Sequence, residues 1–312
     1  MKPYIIILAL LFSTAASLEA QNSGNRFQQI GSPKQIDLWP GSMPDDQRAI
    51  RPDEIISNKG SVTNVSTPRL IAHYPAHPNG TAVLIISGGG YAHIETGKES
   101  TPTANWLQSE GVTAFELIYR LPLENWKTTN VPFEDAQRAM RVIRSQAKKL
   151  HIKTIGIVGF SAGGHLAGII ATEPDKRFYQ PVDDIDSLSA KPDFAALIYP
   201  VISMLPPNNK THAKRSILGD HPTQQQEAAF SVERLVTTNT PPTFLAHATD
   251  DPISPVANSY LMDEALKKNN VPEEMHIFPT GGHGWGLGKK GSSESEWPNL
   301  FKDWASNNGF WK

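Results

Sequence analysis

Short apolar runs alternate with longer amphipathic stretches from about residue 68 of this chain onward. An apolar run of about four to eight residues is typical of a buried strand, whereas apolar residues that recur every three or four positions are typical of a helix. The pattern predicts strands at 69–74, 81–86, 113–119, 154–158, 194–199, 243–248 and 274–278. It predicts helices near 99–110, 133–150, 162–173 and 255–270.

This alternation predicts an α/β fold in which a mostly parallel central sheet has helices on both faces. The helix predicted at 133–150 has the two sides that such a position requires. Its apolar side comprises Ala136, Ala139, Met140, Ile143 and Ala147, and its polar side comprises Asp135, Arg138, Arg141 and Arg144. Active sites in such sheets lie at the carboxyl ends of strands. The residues that follow the predicted strands are therefore the candidates for chemistry.

The first 20 residues predict an export signal. Lys2 precedes an apolar run from Tyr4 to Phe12, and small residues follow as far as Ala20. The run is well short of the roughly 20 residues that a membrane-spanning helix needs, so it is typical of a signal peptide with cleavage near Ala20. We expect a secreted or periplasmic protein without a membrane anchor, in which residues 21–312 form a single domain.

Composition excludes several classes of protein. The 312 residues include no cysteine, so disulfides, thiolate chemistry and cysteine-based metal sites are impossible. The formal charge is −2 and the basic residues are scattered, which gives no indication of nucleic-acid or membrane binding. Asp183, Asp184 and Asp186 lack the ligand spacing of a calcium loop and predict a solvated loop instead.

Residues 200–240 interrupt the alternation with Pro206-Pro207 and a glutamine run at 224–226. The segment is a helix-sized excursion that is too small for a separate domain. It is a candidate for a partial lid over a pocket.

One predicted strand ends in a serine that lies between glycines. The strand at 154–158 leads into Gly159-Phe-Ser161-Ala-Gly163, and a helix-compatible stretch follows. A nucleophile elbow requires this order of strand, sharp turn and helix. Glycines flank the serine because the turn brings two backbones close together, where a Cβ would clash. Ser161 is therefore the candidate nucleophile.

Candidates for an acid, a base and an oxyanion hole follow other predicted strands. They are Asp250 or Asp251 after 243–248, His283 in a glycine-rich loop after 274–278, and the amides of Gly88–Gly90 after 81–86. The chain order of serine, acid and histidine is that of α/β-hydrolases. A glycine loop after a strand can turn backbone N–H groups toward a developing oxyanion.

Seven short segments of the chain together form a family pattern. They are Gly88-Gly-Gly-Tyr91, Ile118-Tyr-Arg-Leu-Pro122, Asp135-Ala-Gln-Arg-Ala139, Gly159-Phe-Ser-Ala-Gly-Gly-His165, Pro241-Pro-Thr-Phe244, Asp250-Asp251 and Gly282-His-Gly284. In these segments the chain resembles secreted bacterial carbohydrate esterases of the acetylxylan esterase and feruloyl esterase-like branch of the α/β-hydrolases, over roughly residues 34–305. The segments are specific for the superfamily and less specific for the substrate.

The resemblance implies a role for each candidate. Ser161 is the expected nucleophile, His283 the base and Asp251 the acid, since the spacing from His247 to Asp251 is similar to the hydrolase pattern. The expected oxyanion donors are the amides of Gly89, Gly90 and Ala162. The resemblance implies no metal and no organic cofactor.

Three further residues are expected near the substrate. Tyr91 and Trp285 are the candidates for substrate binding, and His165 is a candidate for a supporting role beneath the elbow. Ser87 departs from the family pattern, since proline or histidine usually precedes the glycines. Trp285 also departs from it, since phenylalanine is commoner there, and the larger ring could stack on a sugar face or only close a wall of the pocket.

The expected function is hydrolysis of small acyl esters, above all acetyl esters, on plant polysaccharides or oligosaccharides. Feruloyl esterase and general short-chain carboxylesterase are the alternatives within the same chemistry. A peptidase of the prolyl-oligopeptidase type is disfavoured, because only about 80 residues precede the strand at 81–86. A hydrolase fold that serves only as a binding module is disfavoured by the complete set of serine, aspartate and histidine. The sequence leaves the number of subunits open.

Overall fold

A computed structural model describes residues 32–48 and 52–311. The predicted signal peptide at 1–20 lies outside the described residues. Within the described ranges, no helix combines the length and apolar character needed to cross a bilayer.

Most strands of the structure belong to one central sheet. The strands are β1 (Lys34–Asp37), β2 (Ile55–Ile56), β3 (Ser61–Thr63), β4 (Arg69–His73), β5 (Thr81–Ile86), β6 (Ile94–Glu95), β7 (Thr113–Ile118), β8 (Thr154–Phe160), β9 (Phe194–Ile198), β10 (Thr243–Ala248) and β11 (Glu273–Phe278). Eight of them form the central sheet, in the order β1-β4-β7-β5-β8-β9-β10-β11. Within this sheet only β4 runs against the others, because it pairs antiparallel with both of its neighbours while all remaining pairs are parallel. The three remaining strands form a small separate sheet, β2-β3-β6.

Helices cover both faces of the central sheet. They are α1 (Ser100–Ser109), α2 (Val131–Gln146), α3 (Ala162–Thr172), α4 (His212–Leu218), α5 (Gln224–Ala229), α6 (Ala257–Lys268) and α7 (Trp297–Asn307). Side chains alternate along each buried strand, so Leu84 of β5 packs in a core with α2, α3 and α6. Its neighbour Ile85 packs on the opposite face with α1 and α7. The prediction of a mostly parallel sheet with helices on both faces is confirmed.

Several elements were not predicted from the pattern. The excursion at 200–240 contains two short helices, α4 and α5, where one helix-sized segment was expected. The helix α7 was missed, although Trp297, Phe301 and Trp304 recur on one side of it at helical spacing and are buried. The small sheet was missed because strands of two or three residues are too short to show a period.

The prediction of a solvated acidic loop is wrong for Asp186, which is only 8% exposed. On the polar side of α2, Arg138 is also buried, at 1% exposed. The guanidinium of Arg138 donates to Asp186 at 2.9 Å and also binds Asp183. Asp135 is also fully buried, where it accepts hydrogen bonds from Arg120 and from the indole of Trp39. Charges that meet opposite charges are buried as pairs, which no one-dimensional pattern reveals.

We expect Gly156→Ala to destabilise the fold. A Cβ at this position in β8 would lie 2.0 Å from the ring of Phe194, and that ring is itself packed against Phe301 and Trp304. Overpacking of this kind costs about 1–3 kcal/mol, which chemical denaturation will measure as a lower free energy of unfolding. The control is Gly41→Ala, whose Cβ meets no atom within 4 Å. Equal stability of the two variants would contradict the packing at Gly156.

Candidate active site

Ser161 lies at a sharp turn between the end of β8 and the start of α3. Its backbone has φ 54° and ψ −119°, a strained conformation for a residue other than glycine. A Cβ on Gly159 would lie 2.3 Å from the carbonyl oxygen of Gly163, and a Cβ on Gly163 would lie 2.2 Å from that of Ile86. The two glycines are therefore required by the close approach of strand and helix, as the sequence pattern predicts.

His283 lies in the loop after β11, and its Nε2 is 2.8 Å from Oγ of Ser161. Gly282 and Gly284 have φ values of 59° and 69°, which residues with a side chain rarely adopt. The chain can therefore turn sharply on both sides of the histidine. The N–H of Gly282 donates to Oδ1 of Asp250 at 2.8 Å, which ties this loop to the segment after β10.

Asp251 contacts the other side of the imidazole. Its Oδ2 is 2.7 Å from Nδ1 of His283, and its Oδ1 accepts the N–H groups of Ile253 and Ser254. Burial raises the pKa of Asp251, but hydrogen bonds from His247, His283 and the N–H of Ser254 outweigh burial and lower the pKa to about 2. The ionised carboxylate accepts the Nδ1 proton, a tautomer that we assign from this network, and Nε2 is then free to accept the proton of the serine hydroxyl.

The two adjacent acids therefore have different partners. Asp251 orients His283, whereas Asp250 is exposed and anchors the histidine loop through Gly282. His247 supports this arrangement from within β10, since its Nε2 is 2.8 Å from the carbonyl oxygen of Ser254 and 3.3 Å from Asp251. The shorter contact requires Nε2 to carry the proton.

The amides expected to form the oxyanion hole border the same cavity as the serine. Gly89, Gly90 and Ala162 all line it. Within residues 32–48 and 52–311, the N–H groups of Gly89 and Gly90 donate no hydrogen bond to the protein. Ala162 is the first residue of α3, where a helix leaves its N–H groups without partners in the helix. These amides are thus able to receive the charge that develops on a substrate oxygen.

The glycine loop is held by its carbonyl groups. The carbonyl of Gly89 accepts the N–H of Ala92 at 3.0 Å, and the carbonyl of Gly90 accepts the hydroxyl of Ser216 at 2.9 Å. Ser216 belongs to α4, so the excursion at 200–240 supports the oxyanion loop as well as bordering the cavity. Its motion as a lid stays a prediction.

The cavity over Ser161 has a volume of about 440 Å³, a size that suits a small organic substrate. Its walls are mixed. The apolar side chains include Val201, Ala213 and Ile253, and the polar ones, besides Ser161 and His283, are His93, Glu95, Lys98, Glu99, Thr211 and His212. A ligand with one apolar end and one hydroxyl-rich end would find partners for both.

Tyr91 does not occupy the position expected of a substrate-binding residue. It is fully buried, and its hydroxyl lies 2.8 Å from Nδ1 of His165. Nε2 of His165 is 2.7 Å from the carbonyl oxygen of Phe230 and must donate to it, so Nδ1 accepts the tyrosine proton. Burial lowers the pKa of His165 to about 4, although the hydrogen bond to Phe230 raises it. The pair is neutral and joins the residue after the glycine loop to α3. A supporting role was expected of His165, but not of Tyr91.

Trp285 also differs from the expectation. Its ring packs edge-on against Tyr199, with centroids 4.5 Å apart, and contacts Phe278 and Trp297. It does not border the cavity, because its position in the loop turns the ring toward the core beneath α7. Stacking on a sugar is therefore not supported by this geometry.

Tyr199 and Glu99 were missed by the sequence analysis although both lie next to the site. Tyr199 follows β9 and packs edge-on against His283, with centroids 5.0 Å apart. Glu99 precedes α1 and borders the cavity. Each follows or precedes a correctly predicted element, but one-dimensional order does not show which strand end is adjacent to which loop. Within the described parts of the chain, no group of three or more histidine and carboxylate side chains is arranged to hold a metal.

Several known proteins are similar to this chain in sequence. The sequence model of the BD-FAE family matches residues 72–266. Endo-1,4-beta-xylanase B of Butyrivibrio fibrisolvens is 36% identical over 208 residues, 65% of this chain and 32% of that protein. The acetylxylan esterase of Xylanibacter ruminicola is 29% identical over 226 residues, 70% of this chain and 44% of that protein. This chain thus spans less than half the length of these curated relatives.

A solved structure matches over nearly its whole length. The acetyl ester-xyloside bifunctional hydrolase from Caldicellulosiruptor lactoaceticus is 34% identical, with a TM-score of 0.77, and the match covers 91% of this chain and 99% of that one. The carboxylesterase Cest-2923 from Lactobacillus plantarum, at 21% identity and a TM-score of 0.67, shares the fold over 83% of this chain and 98% of its own.

We expect Asp251→Asn to slow covalent labelling of Ser161 by a fluorophosphonate by a factor on the order of 10⁴, because an amide cannot hold the imidazole in the required tautomer. The labelling rate at neutral pH, followed by mass spectrometry, is the measurement. Asp250→Asn is the matched control, since its amide oxygen can still accept the N–H of Gly282. A larger loss in the control than in Asp251→Asn would contradict the assignment.

Proposed function

This chain belongs to the BD-FAE family, and from that premise we propose that it is a serine esterase that removes small acyl groups, above all acetyl, from plant polysaccharides or oligosaccharides. The observation that supports this best is the chain of short contacts from Ser161 through His283 to Asp251 at the floor of an open cavity. We further propose that it acts outside the cytoplasm, in accord with the signal peptide predicted from the sequence.

The first half of the reaction is acylation. His283 accepts the hydroxyl proton of Ser161 as Oγ attacks the ester carbonyl, and Asp251 stabilises the imidazolium that results. The amides of Gly89, Gly90 and Ala162 receive the negative charge on the carbonyl oxygen; loss of one such donor typically costs about 3–4 kcal/mol. Collapse of this intermediate breaks the bond between the carbonyl carbon and the sugar oxygen, and this oxygen takes the proton from His283 to leave as a hydroxyl group.

The second half is hydrolysis of the acyl-enzyme. His283 removes a proton from a water molecule, and the resulting hydroxide attacks the acyl carbonyl that is attached to Ser161. The same amides hold the second oxyanion. Release of the carboxylic acid returns the serine to its starting state, and no step requires a metal or an organic cofactor.

The choice of an acetyl ester on a sugar rests on similarity and on the cavity. Two similar proteins are described as an acetylxylan esterase and an acetyl ester-xyloside hydrolase. The cavity has an apolar part at Val201, Ala213 and Ile253 for an acyl methyl group. Its polar part offers His93 and His212 to hydroxyl groups.

We expect Ser161→Ala to lose acetate release by about 10⁶-fold, as is typical when the nucleophile of such a set is removed. The measurement is acid release from acetylated xylan, methyl ferulate, p-nitrophenyl acetate and p-nitrophenyl octanoate. The control is Ser109→Ala, an exposed serine on α1 that does not border the cavity.

Wild-type enzyme is expected to prefer the acetyl esters. Preference for the ferulate or octanoate ester would be compatible with the mechanism but would contradict the assignment of acetyl as the preferred acyl group. Equal activity of Ser161→Ala and wild type would contradict the esterase proposal, and no release from any ester would favour a peptidase or a binding module.

A further inference from the structure

Glu99 is a buried carboxylate that joins two parts of the site. It lies just before α1 and is 2% exposed. Its Oε2 accepts the N–H of Gly88 at 2.5 Å, and its Oε1 accepts the hydroxyl of Tyr199 at 3.0 Å. A buried charge is tolerated only where hydrogen bonds compensate the lost hydration. Here both of its partners belong to segments that lead to catalytic groups.

Tyr199 extends the connection to the histidine loop. Its hydroxyl donates to Glu99 and accepts the N–H of Gly286 at 3.0 Å. Its ring also packs against His283. The hydroxyl of Tyr199 thus donates its proton to Glu99 and accepts a hydrogen bond from the loop that contains His283.

Gly88, at the other end, lies directly against the nucleophile. A Cβ at Gly88 would lie 2.7 Å from Cβ of Ser161 and 3.3 Å from Oε2 of Glu99. A small displacement of Gly88 would therefore move the adjacent amides of Gly89 and Gly90 relative to the serine. The rate of a positioned reaction is sensitive to shifts of this size.

We propose that Glu99 is a positioning residue that couples the oxyanion loop to the histidine loop through the hydroxyl of Tyr199. The inference rests on the proposed serine-esterase function and assigns no contact with substrate to Glu99. Only an ionised carboxylate can accept both donors. A glutamine would offer one accepting oxygen and one donating nitrogen. Either the N–H of Gly88 or the hydroxyl of Tyr199 would then face an N–H group in place of an accepting oxygen.

The state of this carboxylate depends on the groups around it. Tyr199 after β9, Tyr119 after β7, His283 in the histidine loop and Glu95 on β6 are the titratable groups that face it. Burial raises the pKa of Glu99 to about 7, although the hydrogen bonds from Gly88 and Tyr199 and the charge of His283 lower it. Protonation of Glu99 would place a hydrogen where a donor binds, so mild acid should loosen the coupling.

The test compares Glu99→Gln, Tyr199→Phe and the double variant with wild type, using p-nitrophenyl acetate between about pH 5 and 9. We expect each single variant to lower kcat by about 10²-fold with little change in KM. The double variant should lose no more than the worse single variant, because both act through one bridge. The acid limb of log kcat should be shallower in Glu99→Gln, which a purely structural role would not produce.

A labelling measurement and a control variant complete the test. Labelling of Ser161 by a fluorophosphonate depends on the same oxyanion donors but not on the ester substrate, and its rate should fall in parallel with kcat. The control is Glu134→Gln, which removes another fully buried carboxylate that does not border the cavity and should keep the wild-type labelling rate. If the wild-type protein is labelled at Ser161 but hydrolyses no ester, the result contradicts the proposed function and leaves the coupling intact. A wild-type labelling rate in Glu99→Gln, or additive losses in the double variant, would overturn the coupling.

Discussion

The strained turn at Ser161 is the constraint on which the rest of this structure depends. A φ of 54° in a residue other than glycine costs on the order of 1–3 kcal/mol of conformational energy, so contacts with the surrounding structure must hold Ser161 in this conformation. They do so through the N–H of Ser161, which donates to Ile198, and through its carbonyl, which accepts the N–H of Val201. Both bonds connect the turn to the end of the neighbouring strand β9. The glycines at 159 and 163 permit the tight packing of the turn, since a side chain at 159 would separate β8 from α3 and one at 163 would separate α3 from the end of β5.

The parallel sheet brings distant residues to this turn. Ser161 and His283 are 122 positions apart along the chain, and His283 and Asp251 are 32 apart. Each follows a different parallel strand, and carboxyl ends of parallel strands share one edge of the sheet. The order of the strands therefore places the loops that carry Ser161, Asp251 and His283 side by side. The strand order does not determine the position of the oxyanion loop relative to the histidine loop. The bridge from Gly88 through Glu99 and Tyr199 would set this position.

Buried polar groups divide into those that act and those that support. The low pKa of Asp251 reflects several donors that converge on one carboxylate. His165 is kept neutral by burial and fixes the glycine loop from below through Tyr91. Arg138 and Asp186 are buried together as an ion pair. Sequence patterns classify all of these residues simply as polar, which is why Tyr91 was expected at the substrate and Asp186 in solvent.

The sequence by itself determined the parts of the site whose signal is local. Gly159-Phe-Ser161-Ala-Gly163 encodes a turn through the clash that a Cβ would cause, and the alternating apolar runs encode the sheet through burial of both faces. Short strands, the small helices of the excursion, and the partners of charged residues were decided only by tertiary structure, because hydrogen bonds and ion pairs depend on which segments meet in space. Trp285 illustrates the difference, since its place in the loop was visible but its direction was set by packing against Tyr199.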